Sequence, residues 1–451
     1  MTHAEQVRKI LLALLLGGIA FAGMFPFFTF PQAAMVAIIV LMVTLWTNEG
    51  LPLAVVSLLP IVLFPAAGIL TTKATTVNYA NPIIYLFLGG FLVAIAVEKT
   101  GLHKVIANRM LTLFPSSTRG IIFALIITSG LLSSVLSNTT TTLLLLPIAL
   151  FLTENVKLKM RLALGIAYGA SIGGILTPIG TPPNLILMGI MEEMGMPAIP
   201  FAKWVYIVSP LVLVMFIAVG FILSLGLKDM HIDETGLGKE PLTTEQKKVV
   251  TVIVGLIAML LINAPIKPYY SGLGLSEPGI LLSAGLLLFA PPFAILNWME
   301  DKDSIPYRIM FLFGAGFAIA AAFTKTHLAG VIASYLISFS HMPLLVFILI
   351  IATMITFTTE ITSNTALISI MLPILYKVAE QTSVNPTLIM LVATVCASYA
   401  FMLPIATPPN AIAMSSGVVK IKTMAAYGMV FNIIGILLIV TIANLFWVKV
   451  I

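Results

Sequence analysis

Residues 137–148 read SNTTTTLLLLPI, six small polar side chains opening a run otherwise fit for lipid. Unpaired backbone in hydrocarbon costs several kcal/mol per group, so irregular polar chain at mid-depth survives only where protein or a cavity surrounds it. The same oddity returns 226 residues later. Ser137-Asn138-Thr139 falls on Ser363-Asn364-Thr365, and Leu146-Pro147-Ile148 falls on Leu372-Pro373-Ile374. The offset holds on both flanks: Thr181-Pro182-Pro183-Asn184 matches Thr407-Pro408-Pro409-Asn410, Gly90-Phe91 matches Gly316-Phe317, and Lys99-Thr100 matches Lys325-Thr326. One ungapped offset across about a hundred residues marks a duplicated unit.

Composition sets the class. Hydrophobic residues make up 60% of the 451 and charged ones 9%, with a mean hydropathy of +1.12. A soluble chain carries about 25% charged residues, so this is an all-α polytopic membrane protein. The pI near 9.2 does not point to nucleic acid, because the positive charge sits in loops, as topology demands. The single cysteine, Cys396, lies in an apolar segment, which excludes a disulfide framework. The scattered histidines lack metal-ligand spacing, and there is no HExxH, GxSxG or P-loop pattern. Metal-dependent, acyl-transfer and ATP-driven chemistry therefore lack support.

Spans of roughly 20 apolar residues fit a ~30 Å hydrocarbon core. They are expected near 9–29, 31–47, 50–70, 81–98, 160–195 (broken), 203–226, 249–264, 276–296, 308–325, 386–415 (broken) and 424–448, about 11 transmembrane helices. Two further apolar regions, 119–152 and 343–376, are too long for one span and polar at their midpoints; each reads as a re-entrant helical hairpin. The basic, amphipathic segment 103–114 suits a membrane face. Arg8 and Lys9 before an apolar run imitate a signal peptide, but multi-span proteins commonly keep such a helix, so residues 1–30 are expected to be a retained first span.

With the N-terminus cytoplasmic and the C-terminus external, 17 Lys and Arg residues fall inside and 6 outside. This places Lys99 inside and its counterpart Lys325 outside. Five spans per copy is an odd number, so the repeats, 31–226 and 249–451 around a cytoplasmic linker at 227–248, must have inverted topology. That is an architecture of secondary transporters with a central site, here expected in a bacterial inner (plasma) membrane surrounded by lipid.

The consecutive prolines in TPIGTPPN and LPIATPPN remove N–H donors and clash with the preceding turn, yet suit the first position of a new half-helix. Freed carbonyls plus hydroxyl and amide oxygens make a cage for a small cation such as Na⁺. Half-helix N-termini, carrying about half a positive charge, suit carboxylates. A lone Ser or Thr in a membrane helix often only bonds its neighbour, and a lone Pro often only kinks. A motif pair repeated at one offset asks for more. Neither tip nor break contains Arg or Lys, so neutralising a small-molecule dianion there needs co-bound sodium ions, each ligand helping the other by reciprocal linkage.

At these residues the chain resembles the divalent anion:sodium symporter family, carriers of dicarboxylates, citrate or sulfate, and the likeness covers nearly the whole chain. The resemblance implies a homodimer in which a scaffold (helices to about 115 and to about 340) supports a mobile transport domain (119–195 and 343–415), moving by an elevator mechanism, with last helices at 203–226 and 424–448. It also implies that Ser137, Asn138, Thr139, Ser363, Asn364 and Thr365 hold the substrate carboxylates, helped by Thr181, Thr407 and Pro408. One Na⁺ would sit by Ser133, Ser137, Asn138 and the Gly180 backbone, the other by Thr359, Thr362, Asn364 and the Ala406 backbone. The repeat pairs Ser133 with Thr359 and Gly180 with Ala406 independently. The copies differ at Leu136 against Thr362 and at Ser134 against Glu360, so the two cation sites are not identical. Glu360, an acid near a hairpin tip, is a functional candidate, with bonding to nearby backbone N–H groups as the structural alternative.

The expected function is sodium-coupled symport of a C4-dicarboxylate such as succinate, malate or fumarate, since two carboxylate-binding tips suit two carboxylates a few bonds apart. A citrate or sulfate carrier, or a sodium-independent exchanger, stays open. A channel would need a continuous pore, an efflux carrier would not be expected to keep both Ser-Asn-Thr tips, and an intramembrane enzyme lacks an Asp pair, a Ser/His pair or zinc spacing.

Overall fold

The computed structural model describes residues 3–227, 241–265, 269–328, 330–331, 342–382 and 384–451. Most of the linker expected at 227–248, and the chain just before 342, lie outside them. Among the described residues the regular elements are all helices. Six are long and apolar enough to cross a membrane: His3–Met24, Phe30–Asn48, Thr72–Lys99, Phe201–Ser224, Tyr307–Lys325 and Ile421–Val450. Six shorter apolar helices accompany them, among them Leu53–Ala66, Glu277–Leu287 and Pro386–Ala397. The span expected at 276–296 stops at Leu287, because Pro291 and Pro292 just beyond it cannot continue the backbone ladder.

The regions with polar midpoints are helical hairpins. The first runs Thr118–Ser133 then Asn138–Phe151, and the second Leu344–Thr359 then Asn364–Thr382. Each is followed by a broken helix: Val156–Gly174 then Pro182–Glu193, and Pro386–Ala397 then Pro408–Ser415. Short polar residues start these helices by accepting bonds from first-turn N–H groups. Ser117 accepts from Gly120 N, Ser137 from Thr140 N, Asn155 from Lys157 N and Leu158 N, and Asn385 from Thr387 N and Leu388 N. Both post-break half-helices open with Pro at their first positions, where its missing N–H is no loss.

The two halves interlock. Pro82–Lys99 of the first half packs on Glu277–Leu287 of the second, and Tyr307–Lys325 of the second packs on Leu53–Ala66 of the first. Gln32 accepts its own Thr29 N–H (3.1 Å) and donates across the halves to Thr326 O (3.0 Å). Gln246 repeats this with Thr243 N–H (3.1 Å) and Thr100 O (3.0 Å). Two helix starts thereby cover two helix ends of the opposite half, satisfying carbonyls that a C-terminus leaves orphaned. Deepest of all lie the first arms of the broken helices, buried without interruption over 162–175 and 388–401. Tyr168 of one packs edge-on against Phe401 of the other, ring centroids 5.2 Å apart.

Candidate functional site

Each hairpin turn carries one hydroxyl and one amide from opposite arms. Ser133 Oγ donates to Asn138 Oδ1 at 2.6 Å, and Thr359 Oγ1 donates to Asn364 Oδ1 at 2.6 Å and also lies 3.0 Å from Ala397 O. The pairs are 226 residues apart and have the same short separation. Each places two oxygens where a small cation could be chelated once the hydroxyl proton turns aside, since a hydroxyl keeps acceptor lone pairs whichever way it donates.

The expected cation ligands divide. Ser133, Asn138 and Gly180 are brought together: a Cβ built on Gly174 would lie 2.7 Å from Asn138 Oδ1 and 3.2 Å from Gly180 O, so the absence of a side chain at 174 lets the amide meet the break. Ser137 Oγ instead accepts from Thr140 N (3.1 Å) and donates to Thr140 Oγ1 (2.9 Å), acting as a helix cap. Thr362 Oγ1 donates to Thr358 O at 2.8 Å along its own chain. Ser363 caps its helix more loosely, at 3.4 Å from Ala366 N. Ala406 closes a turn through its N–H to Leu403 O. Of the expected substrate residues, Thr139 is half-buried, Thr181, Thr365 and Thr407 are buried, and Pro408 is exposed.

The four helices that begin at Asn138, Pro182, Asn364 and Pro408 pack in crossed pairs. Asn138–Phe151 rests on Pro408–Ser415, and Asn364–Thr382 rests on Pro182–Glu193. Each hairpin is thus joined to the break of the opposite half. Helix N-termini carry unsatisfied N–H groups and partial positive charge, which is what a carboxylate needs. Apart from Glu360, the segments 133–142, 174–184, 359–366 and 397–410 contain no charged side chain.

Glu360 is wholly engaged with N–H donors. Oε1 accepts from Met402 N (2.9 Å) and from Asn432 Nδ2 (2.7 Å), and Oε2 accepts from Leu403 N (3.1 Å). It stitches the second break to the second hairpin. In the first half Thr177 Oγ1 does the corresponding work by donating to Ser134 O. The sequence reading named Glu360 but missed Thr177, Gly174 and Asn432. Thr177 stands opposite Leu403 and Gly174 opposite Ala400 in the repeat, so the internal comparison marked both positions only as differences.

Similar proteins bear on what this arrangement is. A family model described as citrate transporter matches residues 39–394. The sodium-dependent dicarboxylate transporter SdcS of Staphylococcus saprophyticus is 33% identical over 440 residues, covering 90% of this chain and 84% of that protein. SdcS of Staphylococcus aureus is 33% identical over 475 residues, covering 96% and 90%. Among solved structures, MtrF of Neisseria gonorrhoeae, reported with a class of antimetabolite efflux pumps, superposes with a TM-score of 0.62 at 14% identity over 94% of this chain and 96% of that one. The YdaH transporter of Alcanivorax borkumensis follows at 0.54 and 16%, over 81% and 86%. At such identities the two structures speak for the fold alone.

Proposed function

Because the chain belongs to the citrate transporter family, and is a transporter rather than an enzyme, we propose that it is a sodium-coupled symporter of C4-dicarboxylates such as succinate, malate or fumarate. The observation that carries this reading is the twin hydroxyl–amide pair, Ser133 with Asn138 and Thr359 with Asn364, at one distance and one sequence offset. A dianion among these tips meets no Lys or Arg. Its charge is balanced by helix N-termini and by two co-bound sodium ions, each of which raises the affinity for the substrate as the substrate raises theirs. The names of the Staphylococcus relatives agree with sodium and dicarboxylate.

The substrate residues are those of the two Ser-Asn-Thr tips together with Thr181, Thr407 and Pro408. The sodium sites centre on Ser133, Asn138 and Gly180 and on Thr359, Asn364 and Ala406, with Ser137 and Thr362 contributing lone pairs left over from their bonds within the hairpins. The interlocked halves act as inverted repeats, with the hairpins and broken helices forming a transport domain that moves by an elevator step against the remaining helices. The working unit is a homodimer in a bacterial inner membrane, N-terminus cytoplasmic and C-terminus external. Citrate is the second reading, favoured by the description of the matching family model.

Uptake of labelled succinate into liposomes containing the purified protein tests this. Uptake should require an inward sodium gradient and collapse when choline replaces sodium. Sodium-independent uptake would remove the symport reading, and stronger competition by citrate than by malate would replace the substrate.

A further inference from the structure

Asn184 and Asn410 close the two TPPN motifs and are both fully buried. Asn184 Nδ2 donates to Gly174 O (3.3 Å) and Thr177 O (2.9 Å), and Asn410 Nδ2 donates to Ala400 O (2.9 Å) and Leu403 O (3.0 Å). All four acceptors stand at the common offset. Exchanging the amide oxygen and nitrogen would press an oxygen against two carbonyl oxygens, so the orientation is fixed by chemistry. The consequence is that Asn184 Oδ1 and Asn410 Oδ1 are both buried without a hydrogen-bond partner. A buried acceptor left unpaired is costly, and native structures seldom keep one without a reason. Keeping it twice, at corresponding positions of two halves whose neighbouring side chains differ, points to an occupant that supplies positive charge.

The neighbourhood says which. Gly174, whose carbonyl Asn184 holds, is the residue against which the Asn138 amide and Gly180 O converge. Ala400, held by Asn410, is its counterpart in the second half. We propose that Asn184 and Asn410 are sodium-site residues: the Nδ2 of each ties back two carbonyls freed by the break, and the Oδ1 of each turns its negative end toward the cation. This rests on the sodium sites of the proposed function and adds one oxygen to each that the Ser-Asn-Thr motifs do not contain. The two roles of one amide are complementary, because a carbonyl tied by Nδ2 is withdrawn from the cation while Oδ1 is offered to it.

The test is thermal unfolding of the purified protein in detergent, without dicarboxylate, as sodium chloride replaces choline chloride at constant ionic strength. Asn184→Leu and Asn410→Leu remove the oxygen and should raise the sodium concentration for half-maximal stabilisation about tenfold. Asn184→Asp and Asn410→Asp set one carboxylate oxygen against the two carbonyls, which lowers the unfolding temperature without sodium, but keep the other at the place of Oδ1. The cation offsets the added charge, so the half-saturating sodium concentration should fall. A role confined to tying carbonyls predicts weaker sodium binding in both variants, since both lose the Nδ2 donors, so Asp and Leu moving together would overturn the proposal. Where a Leu variant does not fold, the direction taken by Asp decides alone. If the wild type is not stabilised by sodium, the proposed function itself fails; if it is, and the variants share its half-saturating concentration, only the role of these amides fails.

Discussion

The two hairpin-and-break units share a motif but are held together differently. In the first, helix continues to Gly174, closes with Ile175 N and Leu176 N bonded to Ile172 O and Gly173 O, and is tied to its hairpin by Thr177 Oγ1 donating to Ser134 O. In the second, helix ends at Ala397, ten residues before Thr407, and the N–H groups of Met402 and Leu403 go to Glu360. Two differences, Ser134 against Glu360 and Thr177 against Leu403, separate a break tied to its hairpin by one hydroxyl from one tied by a carboxylate. Their surroundings differ too. Ile179 packs on Gly90, whereas its counterpart Ile405 is 77% exposed; Leu143 is 56% exposed, whereas its counterpart Ser369 is buried against Gly316. Chemically alike units therefore sit in unlike environments, an asymmetry that the proposed elevator step would exchange between the halves.

Paired cysteines test that exchange with the largest expected effect. A Cβ on Gly90 lies 3.7 Å from that of Ile179, inside the disulfide range of about 3.5–4.5 Å. With Cys396 replaced by Ala, Gly90→Cys with Ile179→Cys should cross-link and stop uptake until reductant is added. The corresponding pair Gly316→Cys with Ile405→Cys should also cross-link during turnover, from the opposite state. If gel mobility never reports the second cross-link, under any sodium or succinate condition in active protein, the halves do not exchange. Next in size is Glu360→Leu. It strands three N–H donors in the interior at about 1–3 kcal/mol each, and should cost on the order of 3–9 kcal/mol of stability, while Thr177→Val, which removes the hydroxyl bonded to Ser134 O, costs about 1 kcal/mol. Comparable losses in thermal unfolding would erase the distinction between the two stitches.

Gly174→Ala follows. Its Cβ would come within 2.7 Å of Asn138 Oδ1, the movable end of a side chain, so the amide shifts and folding survives. A displacement of about 1 Å at a ligand can cost about a hundredfold, and that is the expected loss in apparent sodium affinity for uptake. Ala400→Gly, which takes a methyl away instead of adding one, should change it by less than about twofold, since its main effect is added backbone freedom. Equal effects would mean that the first sodium site does not depend on the close approach at 174.

Much of this was legible beforehand because it is local or strictly periodic. The hairpins followed from polar midpoints in over-long apolar runs, and the pairing of Ser133 with Thr359 and of Gly180 with Ala406 followed from one offset. What the chain withheld is contact at long range. Glu360 meets Met402 and Asn432, which lie 42 and 72 residues away, and no spacing rule joins an acid to backbone N–H groups at that distance. The caps at Gln32 and Gln246 escaped for another reason. They are 214 residues apart rather than 226, so an ungapped comparison slides past them. The crossing of each hairpin onto the opposite break is likewise a property of interlocked halves, absent from either half read alone.

Those caps give the smallest effect and the most direct measure of how alike the halves are. Each glutamine makes the same two bonds, 3.1 Å to its own helix start and 3.0 Å to the end of a helix in the other half. Gln32→Ala and Gln246→Ala should each lower stability by about 1 kcal/mol, the usual worth of a cap or of one net hydrogen bond. Gln246 is buried and Gln32 only half-buried, so any inequality should run against Gln246→Ala, where water cannot replace the lost partner. The two share no hydrogen-bond partner, and their losses should add to within about 0.5 kcal/mol in the double variant. Thermal unfolding of the four proteins reads this out. A silent Gln32→Ala beside a costly Gln246→Ala would mean that one half is clamped and the other merely touched, and that the symmetry seen in the hydrogen bonds does not extend to their energies.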